Sequence, residues 1–196
     1  METPVDSKPQ SIVVAGGCFW CIEALYDDLK GVISAESGYA GGKTENPTYN
    51  EVCSGRTGHA EVVKITFDPA VATAKDLLKL FFVVHDPTTL NRQGPDSGTQ
   101  YRSAVFYTNS DEKALAEEVI AEIKKEKIWT DPITTTIELL GPYYRAEEYH
   151  QDYFAKYEKA SEKERATMNA GYCSAIIDPK VRKFREKYQS RLKKGG

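Results

Sequence analysis

The chain has 196 residues, 40% of them hydrophobic and 28% charged, with a formal net charge of −3. That length and composition fit one globular domain able to bury a substantial core. The weakly acidic balance gives no general attraction to nucleic acid, and no run approaches the roughly 20 apolar residues of a membrane span. Met1 to Gln10 is polar and lacks the apolar stretch of a signal peptide, so the cytoplasm is the expected compartment. Four cysteines in a reducing compartment point to redox or metal chemistry rather than a disulfide framework. Only Cys18 and Cys21 are close in sequence, so neither a four-cysteine zinc site nor any other cofactor is expected.

In chain order, residues 1–10 read as a disordered leader. Ile12 to Ala15 is short and apolar, as in a central strand. Ile22, Leu25, Tyr26 and Leu29 then recur at helical spacing, so a helix from Cys18 to about Lys30 follows, with Gly31 past its end. Cys18 therefore sits where strand becomes helix. Helix-start N–H groups lack internal partners and carry partial positive charge, so a thiolate there is favoured and the Cys18 pKa is expected to fall. Phe19 and Trp20 beside it wall an apolar pocket or join the core. Cys18-x-x-Cys21 at a helix start is also the spacing of a dithiol redox pair.

Val32 to Ser37 reads as a second strand, and residues 38–59 as a long functional loop. Glu61, Val63, Ile65 and Phe67 alternate with Val62, Lys64 and Thr66, the pattern of a half-buried strand. Thr73 and Asp76 cap a second helix bearing Leu77, Leu80, Phe81 and Val84. His85 to Arg102 is a second irregular segment, dense in polar groups that either brace one another or line a site. Ser103 to Tyr107 is a strand, and a helix capped by Ser110 runs to about Lys127. Ile133 to Leu139 alternates as a strand. A helix from Ala146 to about Lys159 spaces Tyr149, Tyr153 and Tyr157 as one packing face. Residues 160–171 read as loop and Tyr172 to Ile177 as extended. Asp178-Pro179 opens a last amphipathic helix with Val181, Phe184 and Tyr188. Strands and helices thus alternate in a single mixed α/β domain. It spans residues 11–192, with residues 193–196 as a frayed tail.

Several motifs together resemble the peptide methionine sulfoxide reductase A family. They are Gly17-Cys18-Phe19-Trp20, Gly38-Tyr39-x-Gly41-Gly42, Gly55-x-Thr57-Gly58-His59-Ala60-Glu61, His85-Asp86-Pro87-Thr88, Arg92-Gln93-Gly94, Gly98-Thr99-Gln100-Tyr101-Arg102-Ser103 and Ala146-Glu147-x-Tyr149-His150-Gln151. The resemblance covers roughly residues 11–155. It implies a two-layer α+β sandwich of ferredoxin-like character with a mixed sheet. It also implies reduction of the S-epimer of methionine sulfoxide, free or in proteins, to methionine. Cys18 matches the nucleophile, and Phe19 and Trp20 the pocket for the substrate methyl group. Tyr39, Glu51 and Tyr101 match groups around the sulfoxide oxygen, with Glu51 as its proton donor, and Asp96 matches a carboxylate beside that site. His59 and His150 are assigned hydrogen-bonded support.

Thiolate attack on an electrophilic sulfur leaves negative charge on oxygen, which tyrosine hydroxyls and a protonated carboxyl can meet. The sulfenic acid left on cysteine condenses with a second thiol, and thioredoxin is the dithiol implied as final reductant. Cys21 stands where most of the family has glycine. Cys21 and Cys173 are the favoured resolving candidates, Cys53 a third, and the sequence does not rank them. Cys173 belongs to a C-terminal extension of the domain, and a monomer is expected. Two other classes stand beside this one: a thioredoxin-like disulfide oxidoreductase using Cys18 and Cys21, and a non-catalytic module binding methionine-containing peptides.

Overall fold

The structure, a computed structural model, describes residues 8–193. The leader expected over residues 1–10 and the tail over 193–196 therefore fall mostly outside the described residues. Six strands form one sheet. They are β1 (Gln10–Gly16), β2 (Val32–Ala40), β3 (Ala60–Phe67), β6 (Ser103–Tyr107), β7 (Thr136–Leu139) and β8 (Tyr144–Arg145), in the order β7-β6-β1-β3-β2-β8. β6 and β7 are parallel, and the other neighbours antiparallel, so the sheet is mixed as expected. β4 (Arg92–Gln93) and β5 (Asp96–Ser97) form a separate two-residue hairpin in the second irregular segment.

Side-chain alternation assigns the two faces of the sheet. Val14, Ala35, Val63, Ile65, Phe67 and Val105 pack under the helices. Val13, Ala15, Ala40, Ala60, Val62, Ala104 and Phe106 form a smaller apolar layer on the other face, closed by Leu140 and Tyr143. β3 is therefore buried on both faces in its first half, where half-burial was expected.

The helices over the main face are α1 (Phe19–Asp27), α3 (Ala74–Val84), α4 (Ser110–Lys125), α5 (Tyr153–Lys159) and α8 (Asp178–Lys187). α1 is capped by Cys18 and ends before Gly31, and α4 is capped by Asn109 rather than Ser110. Inside the first long loop lies α2 (Tyr49–Cys53). The helix expected from Ala146 is broken. A 3₁₀ turn (Glu148–His150) precedes α5, and Asp152 between them has a left-handed φ of 51°. Tyr149 is thereby thrown out to 58% exposure, off the face that Tyr153 buries.

Residues 160–177 depart most from expectation. They form α6 (Glu162–Arg165), α7 (Ala170–Tyr172) and a π turn (Cys173–Ile177) that runs directly into α8. Ile177 is already helical, so Asp178 continues a helix instead of capping one. Local cues for an N-cap lost to the burial of Cys173, Ile177, Val181 and Phe184 against the core. Beyond α8, Leu192 bridges Leu29 and the Lys193 N–H donates to the Asp28 carbonyl, so the chain closes back on the end of α1.

Candidate active site

β1 carries the chain into the site and Gly17 turns it, at φ 89°. A Cβ there would lie 2.5 Å from the Gln93 side chain, so both the conformation and the space require glycine. Gln93 is itself fixed, accepting from the Asp86 N–H and donating to the Asp86 carbonyl at 3.0 Å each. Cys18 takes the N-cap of α1 without a side-chain cap bond, and its carbonyl accepts from the Cys21 N–H at 3.1 Å.

The free N–H of Phe19, in the first turn of α1, donates to Glu61 Oε2 at 3.0 Å. Glu61 stands on β3 in register with Val63, Ile65 and Phe67, on the face under the helices, and is 2% exposed. Burial pushes its pKa up to about 8 against the pull of the Phe19 hydrogen bond, with Asp96 and Cys21 adding to the rise. This is the buried acid beside Cys18, and Glu51 is not. Glu51 lies exposed on α2, where it accepts from the Thr48 N–H at 2.8 Å and completes a capping box. Its bonds to Thr48 hold its pKa below the usual range. A carboxylate so engaged, facing solvent, has no proton to give at neutral pH.

Cys18, Phe19, Trp20, Tyr49, Glu61, Asp96, Tyr101, Asn169 and Tyr172 line a cleft of about 120 Å³. The Trp20 indole is held on three sides. Its Nε1 donates to His150 Nδ1 at 3.1 Å, its ring stacks on Tyr153 at 3.8 Å, and Tyr172 meets it edge-on at 6.1 Å. Tyr39 does not reach the cleft. It pairs with Glu61 across β2 and β3, but its ring lies behind Phe19 and its hydroxyl donates to Glu147 Oε2 at 2.8 Å. The tyrosine beside Tyr101 in the cleft is Tyr49, whose backbone N–H donates to Glu147 Oε1 at 2.8 Å. Burial first, and the Glu61 charge after it, hold the pKa of both phenols above the ordinary value.

Sequence reasoning missed four residues of the cleft: Asn169 and Tyr172 from the C-terminal region, and Tyr49 and Glu61 from α2 and β3. The last two left a signal. Glu61 shares the alternation of a core strand, which a solvated carboxylate would not. Thr48-x-x-Glu51 is a helix-start pattern that marks Glu51 as structural and puts Tyr49 in the first turn of α2.

The second irregular segment does both things expected of it. Arg102 pairs with Glu138 and donates to the Gly58 and Thr99 carbonyls, bracing the loops, while Asp96 and Tyr101 face the cleft. The far wall comes from the C-terminal region, where the Tyr172 hydroxyl donates to Asp96 Oδ2 at 2.6 Å. All four cysteines are free thiols, with Cys18, Cys21 and Cys173 buried and Cys53 partly exposed. The expected fall in the Cys18 pKa does not occur. Burial raises it well above the ordinary thiol value, and Cys21 and Glu61 raise it further, outweighing the helix terminus.

A family model described as peptide methionine sulfoxide reductase matches residues 10–192. The chain is 52% identical over 178 residues to the peptide methionine sulfoxide reductase MsrA of Polynucleobacter asymbioticus, covering 90% of this chain and 88% of that protein. Methionine sulfoxide reductase A of Corynebacterium diphtheriae superposes with a TM-score of 0.74 at 36% identity, over 80% of this chain and 79% of that one. Mxr1 from Saccharomyces cerevisiae in complex with Trx2 superposes with a TM-score of 0.52 at 26% identity, over 78% and 90% of the two chains. The family match runs from the first residue of β1 past the last of α8 and so takes in both walls of the cleft; the chain belongs to the peptide methionine sulfoxide reductase family.

Proposed function

We propose that this cleft reduces methionine sulfoxide to methionine through Cys18 as nucleophile and Glu61 as proton donor. The substrate methyl group lies between Phe19 and Trp20, which presents its sulfur to Cys18. As Cys18 attacks, the S–O bond electrons move onto oxygen. Tyr49 and Tyr101, kept protonated by their raised pKa values, donate hydrogen bonds to that charge. Glu61, with a pKa near 8, is mostly protonated at neutral pH and delivers the proton. The thiol proton of Cys18 returns to the Glu61 carboxylate. Protonated a second time by Glu61, the oxygen leaves the substrate sulfur as water. A water then attacks Cys18 Sγ and returns a proton to Glu61. The bond between Cys18 and the substrate sulfur breaks with its electron pair on the substrate sulfur, and methionine leaves. Cys18 is left as a sulfenic acid, and no net proton is consumed.

Fixing the methyl group on one wall and the oxygen on the other leaves one configuration whose main chain exits the cleft, in keeping with the S-epimer. The sulfenic acid condenses with a second thiol, and thioredoxin reduces the disulfide, as the yeast relative's complex with Trx2 suggests. The observation that carries this reading is the buried Glu61 sharing one cleft with Cys18 and two phenols.

We further read residues 11–192 as one catalytic domain whose C-terminal extension completes the cleft, acting as a monomer. Four free thiols fit a reducing compartment such as the cytoplasm, and among the described residues no helix is long and apolar enough to cross a membrane. The test supplies thioredoxin, its reductase and NADPH with each methionine sulfoxide epimer separately. Methionine should form from the S-epimer and not the R-epimer, and Cys18→Ser should abolish it. Release from neither epimer, with turnover of a disulfide substrate, would overturn the reading.

A further inference from the structure

The turn after β8 touches both walls of the cleft and is anchored to the sheet. The Ala146 N–H donates to the Ser37 carbonyl on β2 at 2.9 Å. The buried Gln151 side chain continues that pairing. It accepts from the Ser37 N–H at 3.1 Å and donates to the Ser37 and Ala146 carbonyls at 2.9 Å each. The His150 N–H closes the 3₁₀ turn on the Glu147 carbonyl at 2.9 Å. Residues 146–151 therefore form a bracket tied to β2. From it, Glu147 Oε1 accepts from the Tyr49 N–H and Oε2 from the Tyr39 hydroxyl, at 2.8 Å each. Oε2 also lies 3.8 Å from His150 Nε2. Trp20 Nε1 can only donate, so His150 Nδ1 accepts at 3.1 Å and the ring proton sits on Nε2. Burial pushes the His150 pKa down to about 4 against the pull of the Glu147 charge, so the ring stays neutral. Nε2 is buried and hydrogen-bonds to none of the described residues, and the carboxylate beside it favours this tautomer.

We propose that Glu147 is a positioning residue that fixes the spacing between the methyl wall and the oxygen wall of the cleft, and through it the choice between sulfoxide epimers. This rests on the reductase reading above. Glu147 holds the oxygen wall directly, through the main chain of Tyr49. It holds the methyl wall through His150, whose other nitrogen takes the Trp20 N–H. The His150 ring fills the space between, 5.6 Å from the Trp20 ring and 4.4 Å from the Tyr49 ring.

The two epimers differ at sulfur by the exchange of two substituents, which no rotation undoes. They carry the same methyl group and the same oxygen, so a cleft separates them only if its walls stand at one distance and orientation. A misplacement of about 1 Å can cost a hundredfold in rate. Neither wall fixes that distance unaided. Tyr49 opens a helix of five residues, too short to hold itself. Trp20 stacks on Tyr153, and its rotation in the plane of that stack is set by the acceptor of its N–H. Glu147 meets both needs with one side chain. Against burial, its own N–H, the Tyr49 N–H and the Tyr39 hydroxyl hold its pKa below the usual carboxylate range, so the charge beside His150 is present at neutral pH.

The test measures single-turnover methionine formation from each methionine sulfoxide epimer separately, at saturating sulfoxide, with the full chain and its variants. Glu147→Ala should slow the S-epimer roughly tenfold to a hundredfold and release methionine from the R-epimer faster than wild type does. Glu147→Gln keeps a carbonyl for the Tyr49 N–H but loses the charge beside His150, and should shift both rates in the same directions by less. His150→Phe keeps a ring in place but gives Trp20 no acceptor, and should also narrow the gap between the epimers. Combined with Glu147→Ala it should slow the S-epimer by less than the product of the single effects, because both act on Trp20 through one link. An S-epimer loss with the R-epimer still at its wild-type rate would overturn the proposal and leave Glu147 as a support of the fold. Single effects that multiply, or unchanged rates, would overturn it too. Where Glu147→Ala fails to fold, the epimer ratio of Glu147→Gln decides in the same sense. Methionine from neither epimer with wild type would overturn the reductase reading and the proposal with it.

Discussion

The Phe19 N–H donates to Glu61 Oε2 at 3.0 Å, so the first turn of α1 and the start of β3 meet at a single carboxyl group. A helix terminus ordinarily favours a charged carboxylate. Here burial wins, and Glu61 holds its proton up to about pH 8. One oxygen is fixed by the helix, which leaves the other to carry the proton. The same burial keeps Cys18 a thiol in the free protein. Cys18 and Glu61 are therefore both uncharged at rest, and charge develops on them only when a sulfoxide is present to receive it.

Glu51 and its cap stand outside this chemistry. Glu51→Ala loosens the start of α2, since it removes the acceptor of the Thr48 N–H. It leaves the Cys18 cleft with its acid and both phenols. Single-turnover methionine formation should stay within roughly twofold of wild type, a change smaller than any proton donor's removal would cause. A loss of a hundredfold or more would return Glu51 to the site.

The two tyrosines part in the same way. Tyr49→Phe removes a hydroxyl from the cleft and should slow methionine formation roughly tenfold to a hundredfold, with Tyr101 still present. Tyr39→Phe removes only the bond to Glu147 behind Phe19 and should slow it far less. Rapid-quench rates of the two variants side by side check this, and the reverse order would contradict the placement.

Glu23 is a second buried acid, away from the cleft, with its pKa pushed up to about 8 by burial. It accepts from the Ser37 hydroxyl at 3.1 Å and is 1% exposed. A carboxyl whose folded pKa lies above its unfolded value binds more protons folded than unfolded, so stability falls as pH rises between the two. For Glu23 that window runs from about 4.5 to about 8. Glu23→Gln cannot ionise, so its stability relative to wild type should improve progressively across that window and level off above it. Denaturant unfolding of both proteins at several pH values measures the difference, and a gap independent of pH would show that Glu23 titrates normally.

Gly17 is tied to the site by conformation. Gly17→Ala forces a side chain into φ 89° and against Gln93. A destabilisation of roughly 1–3 kcal/mol is expected, with loss of activity as Cys18 shifts. Gly141→Ala, where a Cβ would meet nothing within 4 Å, serves as the control. Equal unfolding midpoints for the two variants would contradict the role given to Gly17.

What the sequence made legible was mostly local. The apolar run before Gly16, the i, i+3, i+4 stripe of α1 and the Thr73 cap all depend on neighbours in the chain, and each element formed where expected. Cys18, Phe19, Trp20, Asp96 and Tyr101 come together in one cleft as the family resemblance implied. The misassigned residues depended on long-range contacts. The Tyr39 hydroxyl is turned from the cleft by Glu147, which follows β8 and lies 108 residues away, a contact no local pattern around Tyr39 shows. Residues 160–177 read as loop and extended chain because their polar composition is local, whereas their helical path is set by the burial of Cys173 and Ile177 in the core. The Cys18 pKa was misjudged for the same reason: a helix start is visible in sequence, and the depth of its burial is not.

The measurement that bears most directly on the account is the pH dependence of single-turnover methionine formation by wild type and Glu61→Gln. Wild type should slow as pH rises through about 8, as Glu61 loses its proton, and Glu61→Gln should be slower by roughly 10² to 10⁴ without that decline. Glu61→Gln turning over at the wild-type rate with an unchanged profile would show that the proton comes from elsewhere and would contradict the mechanism.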